Sequence, residues 1–464
     1  LEVDMNLPDS LVREEACFLY QKINRVHIYL VDAKRFAEKT DVYTYTEEDE
    51  KRLAWQKKSM GHHDYFAMNL LHQKAALELM ISLGERPDVI HCHDGHTATL
   101  PALIRENPGY RSYFRVTGCL VTIHNAGLGY HQEVADIPYA RSITGLPDHA
   151  INTSLLNGTF DPFLAAGYYA VLNTVSENYA RELQETKSDA LTGWLGHELK
   201  KRNILLEGVT NGIEPDSFSS AVIAGGDPEM LFDPGEIEDK LSGKIRCKSA
   251  LLAQLTGDGE ITGVKRFGAL TNNSDYPLFT FIGRLSEQKG IDLLMEVLGV
   301  LLEKELHVQM LVLGSGGNDF ESRLIAQTED ERFRGRMCFL KGFSPTLANR
   351  IFAAGDFFIV PSRYEPCGLT DFIAQLFGNI PVVHHVGGLV KVKDNVTGIA
   401  YQGDLPDDLF GALLRALALY VDEPTKRKIQ LQAVEEIAQK YTWTKVMRKY
   451  LELYSEARKM QIEL

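Results

Sequence analysis

The sequence predicts an α/β protein built from two doubly wound, Rossmann-like domains. Three observations carry this. Short β-rich runs alternate with longer helical stretches along the chain. At 464 residues there is room for two or three domains. Polar and glycine-bearing clusters follow apolar runs in both halves, and open α/β sheets bind ligands beyond the carboxyl ends of their strands.

In the first half, 25–31 reads as a strand and 66–83 as a helix with small and apolar residues at helical spacing. A buried strand over 88–93 leads to a helix over 97–105. Strands follow over 119–124, over 170–174 (leading to a helix capped by Ser176) and over 204–209. From about 211 to 275 the periodicity weakens. Gly, Asp and Pro cluster over 224–234, and Gly and Asn recur over 257–273, so loops and the approach to a domain boundary are expected there. The second half predicts strands over 278–282, 308–313, 337–340, 357–360 and 380–384. Helices are expected over 290–304 and from the Gly314-Ser315-Gly316-Gly317 turn through 327.

The net charge of −14 argues against a protein whose main task is holding nucleic acid. Six cysteines are spread thinly with no C-x-x-C pair, as for reduced thiols of a cytosolic-type protein. The most apolar stretch, 291–301, sits in a segment carrying Asp292, Glu296 and Glu303, so it reads as a packed helix rather than a membrane span. No secretory signal is visible, and a cytoplasmic protein is expected. The chain opens on Leu1 in mid-pattern, so an incomplete amino terminus is expected.

The strand ends carry the chemistry. His93-Asp94-Gly95-His96, His124-Asn125 and Asn211-Gly212 end strands of the first half. Gly283-Arg284 with Lys289, the run 363–370 and Val386-Gly387-Gly388 do so in the second, suggesting two faces of one cleft. Arg284 and Lys289 sit on a loop entering a helix and can point two cations at one anion, helped by the N–H groups of the helix start. Alone they would read as solvated surface charges. Gly368, Leu369 and Thr370 open a helix, and their amides can hold a phosphate or sugar hydroxyls. Glu365 beside them can accept from sugar hydroxyls or stabilise positive charge, against the blander reading of a surface acid. The Gly314–Gly317 turn lacks G-x-G-x-x-G spacing and supports no nicotinamide site. His91, His93 and His96 resemble the H-x-H-x-D-H signature of dinuclear zinc hydrolases, but the acid falls one place early, at Asp94, and Gly95 stands where it belongs. His62-His63 reads as surface, and His384-His385 as strand-end packing or pocket lining.

Taken together, these runs resemble the bacterial glycogen synthase and plant starch synthase family, retaining transferases of the GT-B fold. R-P-D-V-I-H-C-H-D-G-H-T-A (86–98) is similar to its strand ending in H-D-W-H-T, and V-T-I-H-N (121–125) to its T-I-H-N. T-V-S-E-N-Y-A-R-E (174–182) and G-V-T-N-G-I (208–213) follow in the family's order. F-I-G-R-L-S-E-Q-K-G-I-D (281–292) and V-P-S-R-Y-E-P-C-G-L-T (360–370) are the most specific. The resemblance runs from about Arg86 to Tyr454.

It implies two Rossmann-like domains facing across a cleft: 1–240 on the acceptor side, 241–440 binding the nucleotide sugar, and a last helix, 441–464, returning to the first domain. It implies transfer of glucose from ADP-glucose, or alternatively UDP-glucose, to an α-1,4-glucan such as glycogen, with retention. Neither cofactor nor metal is expected, and neither nucleic acid nor membrane as partner. Arg284 and Lys289 would bind the donor phosphates and stabilise the departing nucleotide. Glu365 would face the donor sugar, with Cys367, Gly368, Leu369, Thr370, Gly387 and Gly388 around the donor. Phe343 would stack near the nucleobase. His124 and Asn125 would lie near the glucose, Asn211 would contact a sugar hydroxyl, and Asp94 takes the place of the family's cleft aspartate.

Five departures stand against the pattern. No K-x-G-G-L loop precedes Arg25; Gly95 replaces a Trp; Val386 replaces a Thr; 390–394 does not match the usual A-D-T-V; and Asp371 replaces a common Gln. A non-catalytic glucan-binding relative is the alternative these departures leave open.

Overall fold

A computed structural model describes residues 1–256, 261–305 and 307–463. The chain forms two compact units: Leu1–Val209 with Arg448–Leu464, and Thr210–Met447. The division therefore falls at Val209/Thr210 rather than at 240/241. The reason is packing. Phe232 and Leu241 share a core with Cys247, Phe352 and Phe358 of unit 2, and Arg427 donates to the carbonyls of Pro234 and Glu236.

Unit 1 begins with two antiparallel ribbons: β1 (Glu2–Asp4) with β2 (Arg13–Glu15), and β3 (Cys17–Ile23) with β4 (Val26–Asp32). The strand expected over 25–31 is thus a hairpin arm outside the main sheet. Its two-residue turn, Asn24 and Arg25, has φ of 47° and 73°, the left-handed pair that matches strand twist. The main sheet holds β5 (Val89–His93) and β6 (Gly118–Ile123). After a short hairpin of β7 (Leu155–Leu156) and β8 (Thr159–Phe160) it adds β9 (Val171–Thr174) and β10 (Leu206–Gly208). These four are parallel, in spatial order β10-β9-β6-β5. All six residues of β6 are buried, as expected of an inner strand covered on both faces. Helix Tyr65–Leu83 stops at left-handed Gly84, and Ser176 caps helix Glu177–Glu185 by accepting from Tyr179 N at 2.9 Å. Helix Trp443–Glu463 contributes its residues from Arg448 onward to unit 1.

Unit 2 adds β11 (Val264–Leu270), β12 (Leu278–Ile282), β13 (Gln309–Gly314), β14 (Arg336–Gly342), β15 (Phe357–Val360), β16 (Ile380–His384) and β17 (Ile399–Tyr401). The order is β11-β14-β13-β12-β15-β16-β17, with β11 antiparallel and the rest parallel. Numbered from β12, the parallel strands run 3-2-1-4-5-6, the doubly wound order of dinucleotide-binding sheets. The direction of winding reverses between β12 and β15. Ligand crevices in such sheets open at that reversal, beyond the strand ends.

Two elements lie where loops were expected. Helix Ser242–Thr256 carries two buried lysines on its inward side, which break the apolar stripe that a helix shows in sequence. Lys244 donates to the carbonyls of Ala353 and Phe377 at 3.0 and 2.8 Å, and burial pushes its ammonium down to about 7. Lys248 pairs with Asp356 at 2.7 Å. Strand β11 occupies 264–270 of the loop expected over 257–273; residues 257–260 lie outside the described residues. Gly268 within it obscures the strand pattern, because a mid-strand glycine reads as a breaker.

Candidate active site

In unit 2 the predicted residues gather at the winding reversal. Strand β12 runs into Gly283-Arg284, then a short turn, Glu287–Lys289, and helix Ile291–Lys304. Strand β15 runs into the loop 361–369. The two loops are bound together. Arg363 grips Asp292 with both guanidinium nitrogens at 2.7 Å, Arg363 N donates to Gln288 O at 3.0 Å, and Gln288 Nε2 to Tyr364 O at 3.2 Å. Helped first by that bond, the Asp292 carboxyl lies below its ordinary range.

On this frame Lys289 Nζ lies 2.6 Å from Glu365 Oε2, and Ser362 Oγ donates to the same oxygen at 3.0 Å. Glu365 is buried and Lys289 half-buried. A carboxylate and an ammonium thus stand at the crevice, partly shielded from water. Arg284 is exposed on the same loop. The Gly387-Gly388 turn after β16 lies against the Glu365 loop. A Cβ at Gly387 would fall 2.0 Å from Glu365 O, and one at Gly388 2.1 Å from Cys367 O. Gly388 N donates to Glu365 O at 2.8 Å. The two glycines are there because backbone meets backbone.

Cys367 is buried, which pushes its thiol up, and the backbone of Asn211 hydrogen-bonds it. Asn211 therefore stands beside the 365–368 loop. Leu369 is exposed, Thr370 half-buried, and Gly368 adopts φ +71°. Phe343, just past β14, leaves 82% of its surface in solvent, so the ring is available for stacking.

In unit 1 the ends of β5 and β6 adjoin. Asp94 has φ +59° and accepts through Oδ1 from the amides of His124 (2.7 Å) and Asn125 (3.3 Å). That carboxylate therefore fixes the turn carrying His124. His93 Nδ1 lies 3.0 Å from His124 Nε2 with the rings stacked, and His91 lies against the other side of His93, ring centres 4.2 Å apart. Thr122 Oγ1 donates to Asn173 Oδ1, so it accepts from His91 Nε2–H at 2.7 Å. His91 Nδ1 then accepts from Tyr454 OH at 3.1 Å. Burial, then His93 and His124, push His91 down to about 4; burial first also lowers His93. Both rings are neutral at neutral pH. Both His91 nitrogens and Nδ1 of His93 are engaged within this row, and among the described residues no three His, Cys, Asp or Glu side chains gather as ligands.

Gly95 answers for the departure noted in the sequence. A Cβ there would lie 2.2 Å from His131 O and 2.7 Å from Tyr130 O. The backbone of 130–131 fills the space a side chain would use. His131 is pinned there by Asp161 (2.6 Å) and Ala126 O (2.7 Å). His62 is not surface: it is buried, with Nε2 2.9 Å from Asp41 O. His384 ends β16, buried, with Nδ1 donating to Ser362 O at 2.9 Å. Lys391 joins this loop through the carbonyl oxygens of Cys367 and Gly368, each at 2.6 Å; its contacts, like those of Ser362 and His93, lie outside the sequence expectations. The run V-P-S-R and the mismatched segment 390–394 were the signals available.

Two units, each with a parallel or mostly parallel sheet, fit the GT-B class of glycosyltransferases, and the comparisons place the chain in that class. Residues 2–198 match the family described as starch synthase catalytic domain, and 265–433 match glycosyl transferases group 1. A glycogen synthase of Geotalea daltonii is 33% identical over 82% of this chain and 74% of its own length. Glycogen synthase 2 of Geobacter sulfurreducens is 32% identical over 83% and 75%. The catalytic domain of starch synthase IV from Arabidopsis thaliana, solved bound to ADP and acarbose, superposes with a TM-score of 0.77 at 24% identity, covering 99% of this chain and 87% of that one. The chain belongs to the glycogen synthase family, and it is a hexosyltransferase.

Proposed function

We propose that the protein transfers glucose from ADP-glucose to the non-reducing end of an α-1,4-glucan, with retention. The observation that carries this is the Lys289–Glu365 pair at the winding reversal of unit 2, with Arg284 on the same loop. Arg284 and Lys289 take the donor's diphosphate and stabilise the charge that grows on it as the C1–O bond breaks. The glucan hydroxyl forms the new bond, and its proton leaves with the nucleoside diphosphate. Glu365 faces the donor glucose, the loop amides of Gly368, Leu369 and Thr370 hold the donor, and Phe343 stacks on the base. In unit 1, His124 and Asn125 meet sugar hydroxyls, with Asp94 holding their turn. Asn211 takes a further hydroxyl. No step in this scheme calls for a metal. None of the six cysteines is disulfide-bonded, which suits a cytoplasmic enzyme. No helix of the described residues is long and apolar enough to cross a membrane.

The test is nucleotide release from ADP-glucose and from UDP-glucose, with and without glycogen and without added metal. Glycogen-dependent release of ADP is expected. Release only from UDP-glucose would change the donor, and glycogen binding with no release from either would establish the non-catalytic relative instead.

A further inference from the structure

Two of the sequence departures, Asp371 and the segment containing Lys391, meet in the fold. Asp371 opens helix Thr370–Leu376 and its side chain is fully buried; Lys391 closes the turn Gly387–Lys391 with only 5% of its side chain exposed. Their charged groups are 3.1 Å apart. The ammonium also lies 4.5 Å from the centre of the Phe372 ring. It bonds the carbonyl oxygens of Cys367 (2.6 Å), Gly368 (2.6 Å) and Gly388 (3.1 Å). An ammonium has three protons, and here three carbonyls from two chain segments meet it.

The consequence follows from peptide geometry. In a planar trans peptide the C=O and the next residue's N–H point in opposite directions. A cation holding the oxygens of Cys367 and Gly368 therefore turns the N–H groups of Gly368 and Leu369 away from itself. It also polarises both peptide units, making those amides stronger donors. The left-handed φ of Gly368 and the lack of a side chain there allow this approach: a Cβ would stand 3.2 Å from the Lys391 ammonium and 2.9 Å from Asp371 Oδ1.

We propose that Lys391 is a positioning residue for the donor, aiming and polarising the Gly368 and Leu369 amides through their peptide units, with Asp371 as its buried counter-charge. This rests on the donor reading given above for those amides. A lysine buried without such a purpose would cost the protein its desolvation for no gain that an apolar residue could not supply.

The experiment is ADP titration by calorimetry on the full chain, with steady-state kinetics in ADP-glucose and in glycogen. Lys391→Met with Asp371→Asn removes both charges together and avoids stranding one. It is expected to raise the ADP Kd and the donor KM at least tenfold and leave the glycogen KM within twofold. Lys391→Arg keeps the charge, but a planar fork cannot converge on three carbonyls, so it should weaken ADP in the same direction and serves if the double variant fails to fold. Lys393→Met is the control; Lys393 pairs with Glu436 and should leave ADP affinity unchanged. Native ADP affinity in the double variant and in Lys391→Arg overturns the proposal, as does an equal rise in both KM values. If the unaltered protein binds neither ADP nor UDP, the donor reading itself falls, and this inference with it.

Discussion

Lys289 Nζ and Glu365 Oε2 lie 2.6 Å apart, which pairs the cation proposed for the donor phosphates with the carboxylate proposed for the donor sugar. Ser362 holds the same carboxylate oxygen and biases it toward this geometry. A diphosphate arriving at Lys289 competes with Glu365 for the ammonium. On the donor reading proposed above, the carboxylate so displaced would face the sugar.

That exchange makes the two residues separable. Glu365→Gln removes the competitor and leaves Lys289 to the phosphates. Its ADP Kd should fall or stay level while kcat drops on the order of a hundredfold, the usual cost of losing one preorganised electrostatic group. Lys289→Met should instead weaken ADP and lower kcat together. Calorimetry with steady-state kinetics distinguishes the two, and parallel loss of ADP affinity in both variants would refute the competition.

Gly95 stands where the family places a tryptophan, and reversing that change should fail. The side chain would have to displace the backbone of Tyr130 and His131, which are anchored through His131 to Asp161 and Ala126. Overpacking of this kind costs about 1–3 kcal/mol, more where backbone must move. Gly95→Trp is expected to lower the urea midpoint measurably, and so is Gly95→Ala, because its Cβ alone meets the same backbone. A tryptophan accommodated at native stability would mean that the 130–131 segment is free to move.

The sequence made unit 2 legible because its strands are short, mainly apolar runs: 278–282, 357–360 and 380–384 appear in the fold with the same bounds as expected. Polar residues at their ends marked the crevice. What escaped notice has a common physical cause. Helix Ser242–Thr256 turns two lysines inward, and single-sequence periodicity counts a lysine as outward-facing. The unit boundary escaped because residues 215–241 have little regular structure, and their allegiance is set by Phe232 and Leu241 finding a core made of distant residues. His91, His93 and His96 resemble metal chemistry in one dimension. In the fold His91 gives its two nitrogens to Thr122 and Tyr454 and His93 turns Nδ1 to His124, and only the fold brings Tyr454 to β5.

That row gives a pH dependence with a definite sign. Burial first, and then His93 and His124, hold His91 down at about 4, against about 6.5 in an unfolded chain. As pH falls from 6.5 toward 4, the unfolded chain takes up a proton that the folded chain refuses. Stability supplied by neutral His91 is therefore present above 6.5 and is lost progressively below it. Urea unfolding at pH 7.5, 6 and 5 should show a steeper loss for the unaltered protein than for His91→Asn. Parallel slopes would remove His91 from the account.

Asp371 titrates with the opposite consequence. Burial pushes its carboxyl up to about 6, with Lys391 opposing the shift. Between about 6 and 4 the folded protein holds a proton that an unfolded aspartate has released, so this group favours folding as pH falls through 6 and disfavours it above. The rise from 3.8 to about 6 corresponds to about 3 kcal/mol. Compared with Asp371→Asn, the unaltered protein should gain relative stability on going from pH 7 to pH 5. Removing Lys391 takes away the largest contribution that opposes the shift, ahead of a backbone hydrogen bond, so in Lys391→Met the window should move to higher pH. The midpoint of this relative gain, followed by urea unfolding across pH 5 to 8, measures the pairing directly. A window that stays in place in Lys391→Met would show that Lys391 and Asp371, despite their 3.1 Å separation, do not sense one another's charge.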